Sequence, residues 1–130
     1  MGSLHPDTIT AGAGKDIMTG GSGADTFVIG AGASSAVVNA WDSITDWSSS
    51  DFVNNPGSSA VYGAETTTAD FNAALTYANT AIAGGADVVA VQVGSDVVVF
   101  FDGSVNDGVA DEAVLLVGKS LTDVAGSNFI

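Results

Sequence analysis

The 130-residue chain has no cysteine, one histidine, two prolines and only two basic residues, Lys15 and Lys119. Without cysteine there can be no disulfide, zinc–thiolate site or thiol nucleophile, although this does not argue for a cytosolic home. A single histidine, His5, leaves no zinc-binding histidine pair, and no Ser-His-Asp set is present. No apolar run is long enough to cross a bilayer, and no amino-terminal signal peptide is visible. The near absence of positive charge leaves fifteen acidic residues and a net charge of −13. Such a field repels nucleic acid and anionic membrane surfaces and attracts cations. Neither a nucleic-acid partner nor membrane insertion is expected.

What the chain does have is glycine, seventeen residues of it, and the glycines are phased with aspartates. Ala11-Gly12-Ala13-Gly14-Lys15-Asp16 is followed by Ile17-Met18-Thr19, and Gly20-Gly21-Ser22-Gly23-Ala24-Asp25 by Thr26-Phe27-Val28. Asp16 and Asp25 are nine positions apart. Stepping outward by nine puts Ile9, Met18, Phe27 and Ala36 at one apolar position, and Asp7, Asp16, Asp25 and Ser34 at the acidic one. The glycine pair steps through Ser3/His5, Gly12/Gly14, Gly21/Gly23 and Gly30/Gly32, so two repeats are complete and one on each side is degraded. Calcium takes about six to eight oxygens from carboxylates and carbonyls. Glycine lets a loop turn its carbonyls inward because it reaches positive φ without a Cβ clash. Each loop should end in a very short strand, with Met18 and Phe27 pointing into a core.

This pattern, G-G-x-G-x-D-x-U-x, resembles the nonapeptide of the RTX (repeats-in-toxin) calcium-binding β-roll family. The resemblance implies that each nonapeptide makes half a coil and that calcium (Ca2+) sits between one loop and the second loop after it. Loop 11–16 would then pair with 29–34, where Ser34 replaces the aspartate. Loop 20–25 would pair with 2–7, which keeps Asp7, or with 38–43, where Asp42 falls one position out of frame. One to three calcium sites are expected, some short of ligands. The residues expected to hold metal are Asp7, the loop residues Ala11, Gly12, Ala13, Gly14 and Asp16, and Gly20, Gly21, Ser22, Gly23 and Asp25. Asp42 and Asp46 stand behind them.

Asp42 and Asp46 belong to Trp41-Asp42-Ser43-Ile44-Thr45-Asp46-Trp47. This is similar to the D-x-I-x-D-F segment after the last repeat in serralysin-type proteases, alginate epimerase modules and bacterial adhesins, with Trp47 where phenylalanine is usual. Alternation suggests a strand closing the roll. The two aspartates read as calcium ligands or as solvent-facing strand residues, and the residues alone do not choose. Trp41 and Trp47 read as core.

Residues 54–67 read as loop. A helix is predicted over 69–83, capped by Thr68, with Asp70 in its first turn and Gly84 at its end. Phe71, Leu75, Ala78 and Ile82 form its apolar face, flanked by Ala74 and Ala81. Residues 87–93 and 96–101 are apolar β-branched runs joined by Gly94-Ser95, a hairpin signal. Their continuous hydrophobicity predicts cover on both faces. A third strand is predicted over 113–117. The loop between, Asp102 to Gly108, places Asp102, Ser104 and Asn106 as an EF-hand would. However, Asp107 replaces the glycine and Ala113 the glutamate, so an acidic hairpin loop is favoured.

The fold expected is mainly β: a short parallel β-roll continuing into a β-sheet cap with one packed α-helix. Residues 1–6 read as a cloning scar or vestigial repeat, 7–53 as roll and closing strand, and 54–130 as the cap with a carboxy-terminal export segment. The ending Leu121 to Ile130 is similar to the termini of proteins exported by type I secretion. The resemblance therefore implies a non-catalytic, calcium-responsive module at the end of a longer protein secreted by a Gram-negative bacterium, with the type I exporter as a partner. A calcium-dependent adhesin or surface-layer module is the alternative, and a homo-oligomer through the open end of the roll is a further expectation. Catalysis is not expected here.

Overall fold

The structure, a computed structural model, describes residues 4–29, 40–54, 62–102 and 108–130. It is a mixed β structure with one helix. Among the described residues five very short strands come first: β1 (Thr8–Thr10), β2 (Ile17–Met18), β3 (Thr26–Val28), β4 (Asp42–Ile44) and β5 (Phe52–Asn54). They alternate between two sheets. β1, β3 and β5 make a three-stranded parallel sheet, while β2 and β4 pair in parallel in the other. Thr8 aligns with Thr26 and Ile9 with Phe27, so a step of two nonapeptides returns the chain to the same sheet in register.

The second sheet does not end at β4. That strand pairs in parallel with β9 (Glu112–Leu116), which continues antiparallel to β8 (Asp96–Phe101) and then β7 (Val88–Val93). One six-stranded sheet, in the order β2-β4-β9-β8-β7-β6, therefore runs from the glycine-rich start to the hairpin. The hairpin forms where the sequence places it, with Val93 opposite Asp96 and Gly94 at φ +58°. The third strand forms one residue earlier than expected.

Two corrections concern the middle of the chain. Residues 54–67 are not all loop: β6 (Tyr62–Thr68) is a strand, parallel to β7 and at the edge of the sheet. The physical reason is topological. Parallel neighbours need a long crossover, and helix α1 (Phe71–Ala83) between β6 and β7 supplies it. The second correction is the cap. The side chain of Asp70, not of Thr68, accepts from the Ala73 N–H at 2.8 Å, and the Thr68 hydroxyl donates to the Asp70 carbonyl. The helix ends at Ala83 with Gly84 as cap, and Gly85 takes the left-handed conformation at φ +114°.

The sheet is covered on both sides, as its apolar runs predict. On one face Ala74, Ala78 and Ile82 of α1 pack with Val89, Val91, Val98, Phe100 and Trp41. Alanines at two of the three buried helix positions let the helix lie close. Trp41 meets Phe71 and Phe100 edge-on, with centroids at 5.4 and 5.9 Å. On the other face Met18, Phe27, Ile44, Trp47 and Val53 share one core with Val97, Val99, Phe101, Leu116 and Phe129. Phe27 and Trp47 are wholly buried, each contributing about 2–3 kcal/mol of hydrophobic stabilisation. Both tryptophans are core residues, as expected. Among the described residues no helix is long and apolar enough to cross a membrane.

Candidate metal centre

The aspartates are arranged as ladders. Each carboxylate reaches back one coil and accepts the main-chain N–H of the aspartate before it in the same sheet. Asp25 Oδ1 accepts from Asp7 N at 2.9 Å, and Asp51 Oδ1 accepts from Asp25 N at 2.9 Å. In the other sheet Asp42 Oδ1 accepts from Asp16 N at 2.7 Å. Carbonyls run the same way: the Thr26 N–H donates to Asp7 O, Phe52 to Asp25 O and Ser43 to Asp16 O. Each of these short strands thus begins with or directly follows an aspartate of the ladders, and Asp25 is tied on both sides, to Asp7 and to Asp51.

The step between partners decides which loops face each other. Asp7 and Asp25 are separated by 18 positions, but Asp16 and Asp42, like Asp25 and Asp51, by 26. The strict step of nine therefore fails after Asp25. Loop 11–16 meets Asp42, while its expected pairing with 29–34 falls on residues outside the described ones; loop 20–25 lies between segment 4–7, the expected pairing, and turn 46–51. The chain lengthens between β3 and β4, and strand pairing keeps register where the sequence frame does not. Ser3, Gly30, Gly32, Ser34 and Ala36, expected at repeat positions, lie outside the described residues. So does most of the loop compared with an EF-hand, 103–107.

Within the loops, Ala11 is buried and its N–H donates to Val28 O at 3.1 Å, whereas Gly12, Ala13 and Gly14 form an exposed turn. Gly14, Gly21 and Gly23 sit at φ +97°, +89° and +119°, conformations that glycine alone adopts cheaply. Gly21, Ser22 and Gly23 are exposed, and Gly23 presses so closely on His5 and Pro6 that a Cβ would meet their backbone at 2.9–3.1 Å. Gly20 is buried, and a side chain there would collide with Asp25 Oδ2 and the Phe27 ring. Asp7 is half-buried.

Asp42 does not face solvent, and Asp46 is half-buried. Asp42 is wholly buried, and Asp46 gives one oxygen to Gly20 N at 2.8 Å and the other to Gly21 N at 2.7 Å. Sequence reasoning passed over Asp51, which is 2% exposed and accepts from both Asp25 N and Ser48 N. A signal was there: Asp42 and Asp51 are nine apart, the spacing of Asp16 and Asp25.

Of the five buried carboxylate oxygens that accept no hydrogen bond among the described residues, two belong to the glycine loops: Asp16 Oδ2 and Asp25 Oδ2, and the whole Asp25 side chain is inaccessible. Burying a carboxylate without a counter-charge costs on the order of several kcal/mol. With Lys15 and Lys119 its only lysine or arginine side chains, this protein has little positive charge of its own to offset it. Among the described residues no three His, Cys, Asp or Glu side chains gather at one point. A cation here would draw on one carboxylate and several loop carbonyls, a donor set that suits calcium. Gly20 keeps open the space beside Asp25 Oδ2 that any larger residue would fill. The residues fit the ion.

Comparison with known proteins agrees for the start of the chain. No curated protein matches it. Residues 1–35 match the family model of the RTX calcium-binding nonapeptide repeat (four copies), so an RTX calcium-binding repeat is present over that stretch of the 130 residues.

Proposed function

We propose that this chain is a calcium-binding RTX module whose glycine turns bind the ion between successive coils of a β-roll. The observation that carries the reading is the pair of buried, unpartnered oxygens on Asp16 and Asp25, each beside a glycine of its own loop. Asp16 with loop residues Ala11 to Gly14, and Asp25 with Gly20 to Gly23 and Asp7, would hold the metal. Asp42 and Asp46 support those loops through the N–H groups of Asp16, Gly20 and Gly21. Bound calcium supplies positive charge that offsets the buried carboxylates. The role is structural; a catalytic one has no support.

The same charge argument suggests how the module works. In low calcium the −13 field and the bare Asp16 and Asp25 oxygens oppose compaction of the glycine turns. In high calcium those turns order against the sheet that the hairpin and helix already provide. A chain loose before export and ordered outside suits a type I-secreted protein of a Gram-negative bacterium, with residues 121–130 read by the exporter. The RTX match over residues 1–35 supports this setting.

The test is circular dichroism and titration calorimetry with calcium, on wild type and Asp25→Asn. Calcium should increase ordered structure and bind with measurable stoichiometry, and D25N should weaken it. A wild-type chain that takes up no calcium, with an unchanged spectrum after chelation, would refute the proposal.

A further inference from the structure

We infer that the Asn128 side chain takes the place of a cation at the last turn, so that residues 46–51 close without metal. This rests on the calcium reading for the turns before it. Turn 46–51, Asp46-Trp47-Ser48-Ser49-Ser50-Asp51, occupies the position in the stack that a glycine loop occupies one coil earlier, yet contains no glycine. Unlike those loops, it leaves neither aspartate with an idle oxygen. Asp46 accepts from Gly20 N and Gly21 N, and Asp51 from Asp25 N and Ser48 N. The Ser50 hydroxyl donates to Gly23 O at 3.4 Å, holding a carbonyl of the glycine loop above.

A calcium ion in such a turn would gather main-chain carbonyls. Here the Asn128 amide does so. Its Nδ2 donates to Ser49 O at 3.0 Å and to Asp51 O at 2.9 Å, using both of its protons. Its Oδ1 accepts from Ala125 N at 2.7 Å, so the group is fully used and its orientation is fixed. Asn128 is 5% exposed. Its neighbours pin it in place: Phe129 packs on Phe101 with centroids 6.0 Å apart, and Ile130 N donates to Val53 O at 3.0 Å. Trp47 Nε1 ties the turn to Asp123 O at 3.0 Å.

The two kinds of turn therefore differ in what neutral or charged group organises their carbonyls. Asn128 does it by hydrogen bonds and carries no charge, so its turn is present before calcium arrives. The N–H of Asp25 then has its acceptor on Asp51 already in position. The last turn is the template on which the metal-dependent turns assemble.

Amide hydrogen exchange on the full chain tests this, in chelator and in calcium, for wild type, Asn128→Ala and Asn128→Asp. The amides of Asp51 and Ile130, bonded to Ser48 O and Val53 O, report the turn. In wild type they should be protected in chelator. N128A should lose protection at least about tenfold in both conditions, as the buried Asp51 carbonyl and the part-buried Ser49 carbonyl lose their donor. N128D should lose it in chelator and regain it in calcium, because a carboxylate can share a cation with the Ser49 and Asp51 carbonyls. Free exchange of both amides in chelated wild type, unchanged protection in N128A, or an N128D that calcium does not restore would each overturn the assignment. If calcium alters nothing in residues 11–25, the calcium reading falls while the chelated wild type and N128A still judge Asn128.

Discussion

The main-chain N–H of Asp25 donates to the carboxylate of Asp51, 26 positions further along the chain, at 2.9 Å. The same carboxylate closes its own turn by accepting from Ser48 N at 2.7 Å. One buried side chain thus joins a glycine turn to a turn that contains no glycine.

Removing it should be costly. We expect D51A to lower unfolding free energy by about 2–4 kcal/mol, because two N–H groups lose their acceptor. D51N keeps one carbonyl oxygen and should lose less. Urea denaturation at saturating calcium measures both. A D51A loss below about 0.5 kcal/mol, the range of an ordinary surface change, would show that the ladder does not hold the coils together.

Gly20 is a steric requirement, since its φ is not in the left-handed region. In G20A the new methyl meets the Asp25 carboxylate and the Phe27 ring. Overpacking of this kind costs about 1–3 kcal/mol, and the shifted carboxylate should also raise the calcium midpoint. A G20A protein with wild-type calcium binding would mean that Asp25 Oδ2 is not the metal-facing oxygen.

D16N and D25N each remove a charge whose second oxygen is buried without a partner. Each should raise the calcium Kd at least about tenfold, equivalent to about 1.4 kcal/mol. D96N is a suitable control, because Asp96 caps Gly118 N at an exposed hairpin end far along the chain. Calorimetry that finds all three alike would argue for diffuse attraction to the net charge rather than sites.

The two tryptophans sit in different cores and should respond differently to chelation. Trp47 packs on Phe27 with centroids 6.4 Å apart, whereas Trp41 packs on Phe71 and Phe100 under the helix. With W41F, emission from Trp47 should shift to longer wavelength when calcium is removed, as Phe27 withdraws. With W47F, emission from Trp41 should stay where it is. Matching shifts would mean that the whole molecule, not its glycine turns, depends on the ion.

Asp70 provides a further control. D70A should destabilise the protein by about 1 kcal/mol through loss of the cap on Ala73 N. The calcium midpoint should stay unchanged, since the helix lies across the sheet from the glycine turns. A displaced midpoint would show that helix and turns are coupled.

The local features were readable from residues alone because each rests on short-range chemistry. Glycine at positive φ followed by aspartate specifies a turn, Met18 and Phe27 specify its inner face, and Gly94-Ser95 between β-branched runs specifies a hairpin. The helix stripe likewise follows from its spacing. Pairing over distance was not readable in this way. A strict period located Asp16 and Asp25 and named Asp7 as a partner of Asp25, but it named neither Asp42 for Asp16 nor Asp51 for Asp25, because the longer spacing before β4 shifts the frame while hydrogen bonding restores the register. Only the folded sheet puts β4 beside β9, makes β6 a strand through its crossover, and brings Asn128 to the carbonyls of Ser49 and Asp51. A hydrogen bond is chosen among groups that packing has already made neighbours, and a one-dimensional pattern cannot name neighbours 26 or 77 positions away.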